Sequence, residues 1–103
     1  MIVEHRTYQL KTSAVGRYFE DFGRAGFDLQ AEYAGRCVGH YVTEVGPHSQ
    51  VLALWSYDSF ETRMRGRARL QQNEQWRDIV DRVSPLIHSI ETKLLVRSPV
   101  WGA

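Results

Sequence analysis

The chain has 103 residues, the length of one small domain, and its 43% hydrophobic content is enough for a core and argues against disorder. A formal net charge of +1 lacks the strong basic bias of a general nucleic-acid binder. No apolar run approaches the roughly 20 residues of a membrane span, and the N-terminal residues lack a signal-peptide pattern. We therefore expect a single cytoplasmic domain over residues 1–103, with no nucleic-acid partner and no transmembrane segment.

The first predicted elements are a strand and a long helix. The alternation from Ile2 to Leu10 predicts a strand with mixed faces. Thr12 or Ser13 is expected to cap the helix, and Gly35 to end it. Its apolar stripe recurs every three or four positions, at Val15, Tyr18, Phe19, Phe22, Gly26, Leu29 and Tyr33.

Two strands follow between about Cys37 and Tyr57, joined by a tight turn at Gly46-Pro47. In the second strand Leu52 and Leu54 point to one side, whereas the other side carries Val51, Ala53, Trp55 and Tyr57. We expect the leucines to pack under helices and the Trp55/Tyr57 side to face a partner or a pocket.

A second helix, broken in two, and a last strand complete the chain. Asp58 and Glu61 fit a capping box, and Phe60, Met64 and Ala68 form the expected apolar stripe beyond it. Asn73 is expected to start the next helical segment, and Pro85 to limit it. That segment carries Trp76, Ile79, Val80 and Val83 on one side, and Ile87 to Val96 reads as the final strand.

The resulting order β-α-β-β-α-β predicts an α+β fold of the ferredoxin-like class, an antiparallel four-stranded sheet with its helices on one face. The second face of such a sheet is uncovered. Because a small domain gains by burying an open face, we expect a homodimer formed through it, with a cavity enclosed between the two sheets.

Several motifs resemble the NIPSNAP family. The opening Arg6-x-Tyr8-x-Leu10-Lys11 resembles that family's first strand. The block from Gly39 through Gly46-Pro47 to Trp55-x-Tyr57-Asp58 resembles its central signature, and Arg63, Arg65, Arg67 and Trp76 its helix pattern. The resemblance spans nearly the whole chain and implies a dimeric α+β barrel, the superfamily that also contains cofactor-independent monooxygenases and lactone isomerases. Where family members often carry a histidine two residues before the tryptophan, this chain has Ala53.

Glu4, Arg6 and Tyr8 share one face of the first strand, and if that face is the open side of the sheet they line one polar wall as candidate ligand-binding residues. Arginine suits planar recognition of a carboxylate, and a tyrosine can donate to a developing enolate or ketone oxygen. The alternative is that Glu4 and Arg6 are a structural ion pair at a dimer seam. Trp55 and Tyr57 are either the floor of a pocket for a flat organic molecule or filler between two sheets.

The histidines carry weaker signals. His40 shares a strand face with Glu44, so the two could act as a proton-transferring base and its orienting partner, although an ordinary strand histidine is the simpler interpretation. No metal-ligand spacing occurs, and no cofactor or metal is expected. The four arginines 63, 65, 67 and 69 are interpreted as a solvated or salt-bridged helix face rather than an anion-steering patch.

Two functions remain open. The first is a NIPSNAP-like homodimer without an assigned reaction, which binds a small organic ligand or a protein partner in or near the barrel cavity through Glu4, Arg6, Tyr8, Glu44, Trp55 and Tyr57. The second is a cofactor-independent enzyme acting on a small aromatic or keto compound, with Tyr8 or His40 as the catalytic candidate. A membrane-trafficking adaptor is a third possibility that rests on the family resemblance alone.

Overall fold

The computed structural model describes residues 1–101, in which a four-stranded antiparallel sheet carries all helices on one face. The strands are β1 (Ile2–Leu10), β2 (Arg36–Val42), β3 (Gln50–Tyr57) and β4 (Ile87–Leu95). The helices are α1 (Val15–Tyr33), α2 (Phe60–Gln71) and α3 (Glu74–Val83), and a 3₁₀ turn, Ser84–Leu86, leads into β4. The sheet order β2-β3-β1-β4 confirms the predicted ferredoxin-like α+β fold.

The helix termini follow the expected chemistry with small shifts. Asn73 caps α3 as predicted, accepting a hydrogen bond at 2.9 Å from the Trp76 backbone N–H. The cap of α2 is Ser59 rather than Asp58, and its hydroxyl accepts from the backbone N–H of Thr62. Helix α1 begins after Ala14, without the predicted Thr12 or Ser13 cap.

Gly35 ends α1 as predicted, because its φ of 108° lies in the region that side-chain-bearing residues avoid. The segment joining β2 to β3 is longer than the expected tight turn, since β2 ends at Val42 and β3 begins at Gln50. Glu44 therefore lies in an exposed loop and not on the strand face with His40.

The faces of β3 are the reverse of the prediction. Trp55 and Tyr57 point toward the helices and are buried, with Trp55 fully inaccessible to solvent. The phenyl ring of Phe27 in α1 lies 5.5 Å from the Trp55 ring, centroid to centroid. Leu52 and Leu54 lie on the open face, where they pair across the sheet with Thr7 and His5.

The apolar stripe predicted for α2 faces solvent and not the core, so this prediction is also wrong. Phe60 and Met64 are 50% and 51% exposed, whereas Gly66 and Leu70 are the buried residues of this helix. The backbone of α1 approaches α2 so closely that a Cβ on Gly66 would lie 2.1 Å from the Tyr33 carbonyl oxygen. This contact, which no apolar pattern reveals, sets the rotation of α2.

The core has two apolar clusters beneath the helices. One joins the start of α1 and α3 to the sheet, with Leu10, Ala14, Tyr18, Phe22, Val51, Ile79 and Val83. The other lies under α2 and the end of α1, with Ala34, Ala53, Trp55, Tyr57 and Leu70. The sheet's opposite face is covered by no helix in residues 1–101 and carries a mixed surface that includes the 60% exposed Tyr41.

Candidate functional site

A cavity of about 600 Å³ lies between the sheet and α3, next to the first core cluster. This volume is typical of a small-molecule site. Strand β1 contributes Arg6 and Tyr8, and α1 contributes Tyr18 and Phe22. The remaining lining comes from α2, α3 and β4, namely Arg67, Gln71, Trp76, Arg77, Asp78, Ile79, Val80, Asp81, Val83, Ser84, Ile87 and Ile90.

The floor of this cavity is a hydrogen-bonded pair. The Arg6 Nε–H donates to the Tyr8 hydroxyl oxygen at 2.8 Å, and the guanidinium carbon lies 5.4 Å from the Tyr8 ring centroid. Burial opposes the charge on Arg6, but Tyr8, Glu4 and Tyr57 outweigh it and raise the pKa of the guanidinium. Arg6 is therefore a permanent cation at the base of the cavity.

Tyr18 is the second phenol of the floor, with its ring centroid 6.1 Å from that of Tyr8. Burial raises the pKa of Tyr18 well above its usual value, and Tyr8 adds to the rise while Arg6 opposes it. Tyr18 consequently stays protonated at any physiological pH and can donate a hydrogen bond.

An aromatic wall continues from this floor. The Tyr18 and Phe22 rings are stacked with an interplanar angle of 10° and centroids 5.6 Å apart. Trp76 of α3 meets Phe22 edge-on at 6.2 Å. Tyr18, Phe22 and Trp76 were assigned to apolar helix stripes in the sequence, and only the polar tip of Tyr18 within such a stripe could have signalled a site.

Glu4 lies outside the cavity and pairs with a different residue from the one considered. Its Oε2 accepts from Arg63 Nη2 at 2.6 Å and from Arg63 Nε at 2.7 Å, so α2 supplies the partner instead of Arg6. The Glu4 side chain is completely buried, and directly opposite it on β3 stands Trp55. Glu4 thus ties α2 to the sheet.

Tyr57 and Trp55, which lie close to Glu4, are also outside the cavity lining. The Tyr57 hydroxyl, the Trp55 indole N–H and the Glu4 Oε1 are buried without a hydrogen-bond partner in residues 1–101. Burial, followed by the negative charge of Glu4, raises the pKa of Tyr57 to about 12. Trp55 and Tyr57 are therefore packed under α2 and do not form the floor of the cavity.

His40 is packed against aromatic rings and does not contribute to the cavity lining. Its ring lies 5.7 Å from Phe27 and 6.1 Å from Phe19, centroid to centroid, on the helix-covered face of β2. Burial lowers the pKa of His40. Of the candidate residues named from the sequence, Arg6, Tyr8 and Arg67 line this cavity, whereas Glu4, His40, Glu44, Trp55 and Tyr57 do not.

The arginines of α2 diverge in role. Arg63 is neutralised by Glu4, and Arg69 lies over the Tyr33 ring with its guanidinium carbon 5.3 Å from the centroid. Arg65 is exposed, and Arg67 turns into the cavity. Of the four arginines predicted to form a solvated or salt-bridged face, Arg65 and Arg69 are exposed, whereas Arg63 and Arg67 are half-buried in two different environments.

Across residues 1–101, histidine, cysteine and acidic side chains form no group of three or more placed to hold a metal ion. No helix in the same residues is both long and apolar enough to span a membrane.

The fold and the cavity together define a class: a ferredoxin-like α+β domain with an open cleft between helices and sheet. An antibiotic biosynthesis monooxygenase superposes on it with a TM-score of 0.69 at 11% identity, covering 96% of this chain and 100% of that chain. At that identity the similarity concerns the fold alone.

The family follows from nearer relatives. The NIPSNAP family profile matches residues 3–100. A Dictyostelium discoideum protein, NipSnap homolog, is 33% identical over 93 residues, which are 90% of this chain and 41% of that protein. The crystal structure of a NIPSNAP family protein from Agrobacterium tumefaciens superposes with a TM-score of 0.90 at 32% identity, covering 96% of this chain and 94% of that one. The chain belongs to the NIPSNAP family, which confirms the resemblance seen in its motifs.

The chain spans less than half the length of the two curated relatives it matches. The chain spans 41% of the Dictyostelium discoideum protein and 32% of a Danio rerio protein, NipSnap homolog 2, with which it shares 27% identity over 96 residues. A second Agrobacterium tumefaciens structure, 30% identical with a TM-score of 0.90, is described as a NIPSNAP family protein with unknown function.

Proposed function

We propose that this protein is a homodimeric NIPSNAP module that binds a small organic ligand in the cavity between the sheet and α3. The observation that carries the proposal is the Arg6–Tyr8 pair, a half-buried cation and phenol at the base of a cavity of about 600 Å³ with an aromatic wall. Burying a polar side chain costs free energy of folding. Convergent polar groups in an apolar pocket are typical of ligand sites.

The dimer is proposed to form through the open face of the sheet. Leu52 and Leu54 lie at the centre of this face, and Tyr41 beside them is 60% exposed. Burying such a mixed apolar surface against a second copy would add to the small core of one subunit. Sedimentation velocity on the wild type and on Leu54→Glu tests this, because a charge at the centre of the interface should give a monomer. A monomeric wild type at micromolar concentration would refute the dimer.

The ligand proposal is tested by a thermal-shift screen of small acids, ketones and quinones, repeated with Arg6→Ala and Tyr8→Phe. We expect at least one compound to raise the melting temperature of the wild type, with a smaller rise in both variants. Arg65→Ala is the matched control, because Arg65 is exposed outside the cavity. If no compound stabilises the wild type, or if the variants respond as it does, the cavity is not the site.

An enzymatic function on a small aromatic or keto compound is the second candidate, favoured by the contact of the Tyr8 hydroxyl with the Arg6 cation. The Tyr8 hydroxyl lies in the cavity lining, where a phenol can exchange a proton with a bound ligand. Incubation of hits from the screen with the protein, followed by mass spectrometry, tests for turnover. An enzyme should lose turnover in Tyr8→Phe even at ligand concentrations that saturate the variant, whereas a binding module gives no product with either protein.

A further inference from the structure

The floor of the cavity presents hydrogen-bond donors and almost no acceptors. Arg6 has only donor groups, and its Nε–H is already given to Tyr8. Because the Tyr8 oxygen accepts that bond, the proton of its own hydroxyl is left to donate. Tyr18, kept protonated by its burial, adds another donor. A site of this composition is complementary to a ligand that supplies negatively charged oxygen.

Two arginines of the lining, one on β1 and one on α2, form no ion pair with a carboxylate in residues 1–101. In residues 1–101 the ion pairs engage Arg17, Arg24, Arg63 and Lys93, and none engages Arg6 of β1 or Arg67 of α2. Both side chains are half-buried in the cavity lining. Arg63, one helical turn before Arg67, shows the contrast, because Glu4 neutralises it completely. The cavity therefore holds two guanidinium groups that no ion pair in residues 1–101 neutralises, although the buried Glu4 favours the charge on Arg6 through space.

The acidic side chains of the lining do not remove this charge. Asp78 and Asp81 stand on α3, and both are solvent-exposed, as is the third lining arginine, Arg77. Exposed charges are screened by water and salt within about 10 Å, so they weigh less than the half-buried guanidinium groups. The base of the cavity remains positive.

The wall next to these cations accepts a flat apolar body. Tyr18 and Phe22 stack with an angle of 10° between their planes, and Trp76 meets Phe22 at 79°. Ile79, Val83 and Ile87 complete the apolar side. Rings bind such surfaces by offset stacking or edge-to-face contact.

Resting on the proposed function, we propose that the ligand is an aromatic carboxylate, whose carboxylate binds between Arg6 and Arg67 and whose ring lies against Tyr18, Phe22 and Trp76. The planar fork of a guanidinium binds a carboxylate through two parallel hydrogen bonds, and the flat aromatic wall suits a ring attached to that carboxylate.

The experiment compares 2-naphthoate with its neutral isostere 2-naphthamide by isothermal titration calorimetry. One charge-assisted contact is worth about tenfold in affinity, so the carboxylate should bind at least about tenfold more tightly than the amide. In Arg6→Gln the two probes should bind within about twofold of each other. Arg67→Gln should reduce the ratio by about threefold, and Arg65→Gln should leave it unchanged.

Each result separates this inference from the proposed function. If the amide binds the wild type as tightly as the carboxylate, the cavity binds organic molecules but the carboxylate inference is wrong. If acetate or inorganic phosphate competes with 2-naphthoate at equal concentration, the aromatic part is wrong. If neither naphthyl probe binds while other compounds from the wider screen do, the ligand class is wrong and the cavity site stands. Circular dichroism checks that Arg6→Gln is folded, and Arg67→Gln decides the question if it is not.

Discussion

Replacing Glu4 by glutamine tests the buried ion pair that joins α2 to the sheet. Glu4 is fully buried and Arg63 is 12% exposed, so the change leaves a guanidinium with little access to water and no counter-charge. Removing one partner of a buried pair typically costs 3–5 kcal/mol. Because the glutamine oxygen can still accept a hydrogen bond from Arg63, we expect a loss near the lower limit, about 3 kcal/mol.

That loss is large for a domain of this size. A total stability of about 5–15 kcal/mol is usual, and a loss of about 3 kcal/mol should lower the midpoint of thermal unfolding by about 12 °C or more. Urea unfolding followed by circular dichroism measures the free energy of unfolding directly. The protein concentration must be the same for every variant, because self-association would contribute to the measured stability.

The exposed pair Arg17–Asp21 provides the control. Its atoms Nε and Oδ2 are 2.9 Å apart, close to the spacing in the buried pair, but Arg17 is 67% exposed. Asp21→Asn should therefore cost no more than about 0.5 kcal/mol. If Glu4→Gln costs as little as Asp21→Asn, the buried pair does not hold α2 in place, and our account of this helix is refuted.

Three further predictions concern packing and pH. Gly66→Ala should strongly destabilise the fold, because its Cβ would lie 2.1 Å from the Tyr33 carbonyl oxygen; urea unfolding measures the loss, and a change below about 0.5 kcal/mol contradicts the close contact. Burial raises the pKa of Tyr57 to about 12, so the folded state holds its proton longer than the unfolded state and stability falls as the pH rises from about 10 to 12. Tyr57→Phe should flatten that part of the stability curve, and an unchanged slope contradicts the assignment. Burial lowers the pKa of His40, so its contribution to stability is present above pH 6.5 and is lost as the pH falls through the lowered value. An NMR titration of its ring protons should show a midpoint below the ordinary histidine value of about 6.5, and a midpoint at or above that value contradicts the prediction.

The element order could be predicted from the sequence because it depends on local signals. The alternation of β1, the cap at Asn73 and the glycine at position 35 each act within a few residues. Right-handed connections then leave few ways to arrange two βαβ units in one sheet.

The faces of β3 could not be predicted because both are apolar. Leu52 and Leu54 on one side and Val51, Ala53 and Trp55 on the other satisfy alternation equally. Which face of β3 lies inside depends on its pairing with β1. The residues of β1 that point toward the helices include a glutamate and an arginine, so in the sequence they resemble a solvent-facing set. Only the contact of Glu4 with Arg63, 59 positions away, makes that set an interior one.

Only part of the candidate site could be predicted from the sequence. Arg6 and Tyr8 are two positions apart on one strand, so alternation alone puts them together. Tyr18, Arg67 and Trp76 come from three helices, and their meeting depends on the rotation that the Gly66 contact gives to α2. Four arginines at alternate positions from 63 to 69 have no sequence feature that shows which one points into the cavity.

The positive charge of the cavity follows from an imbalance between buried partners. Three arginines, at positions 6, 63 and 67, turn from the sheet and α2 into the interior, and a single buried carboxylate, that of Glu4, is available to them. Glu4 binds Arg63, which leaves the other two guanidinium groups on the cavity side. Glu4→Gln should thus weaken the fold without removing the preference for an anionic ligand, since the cations in the cavity are not its partners. A loss of that preference in a folded Glu4→Gln protein would show that the ion pair and the cavity are one site, and that the division drawn between structural and binding residues is wrong.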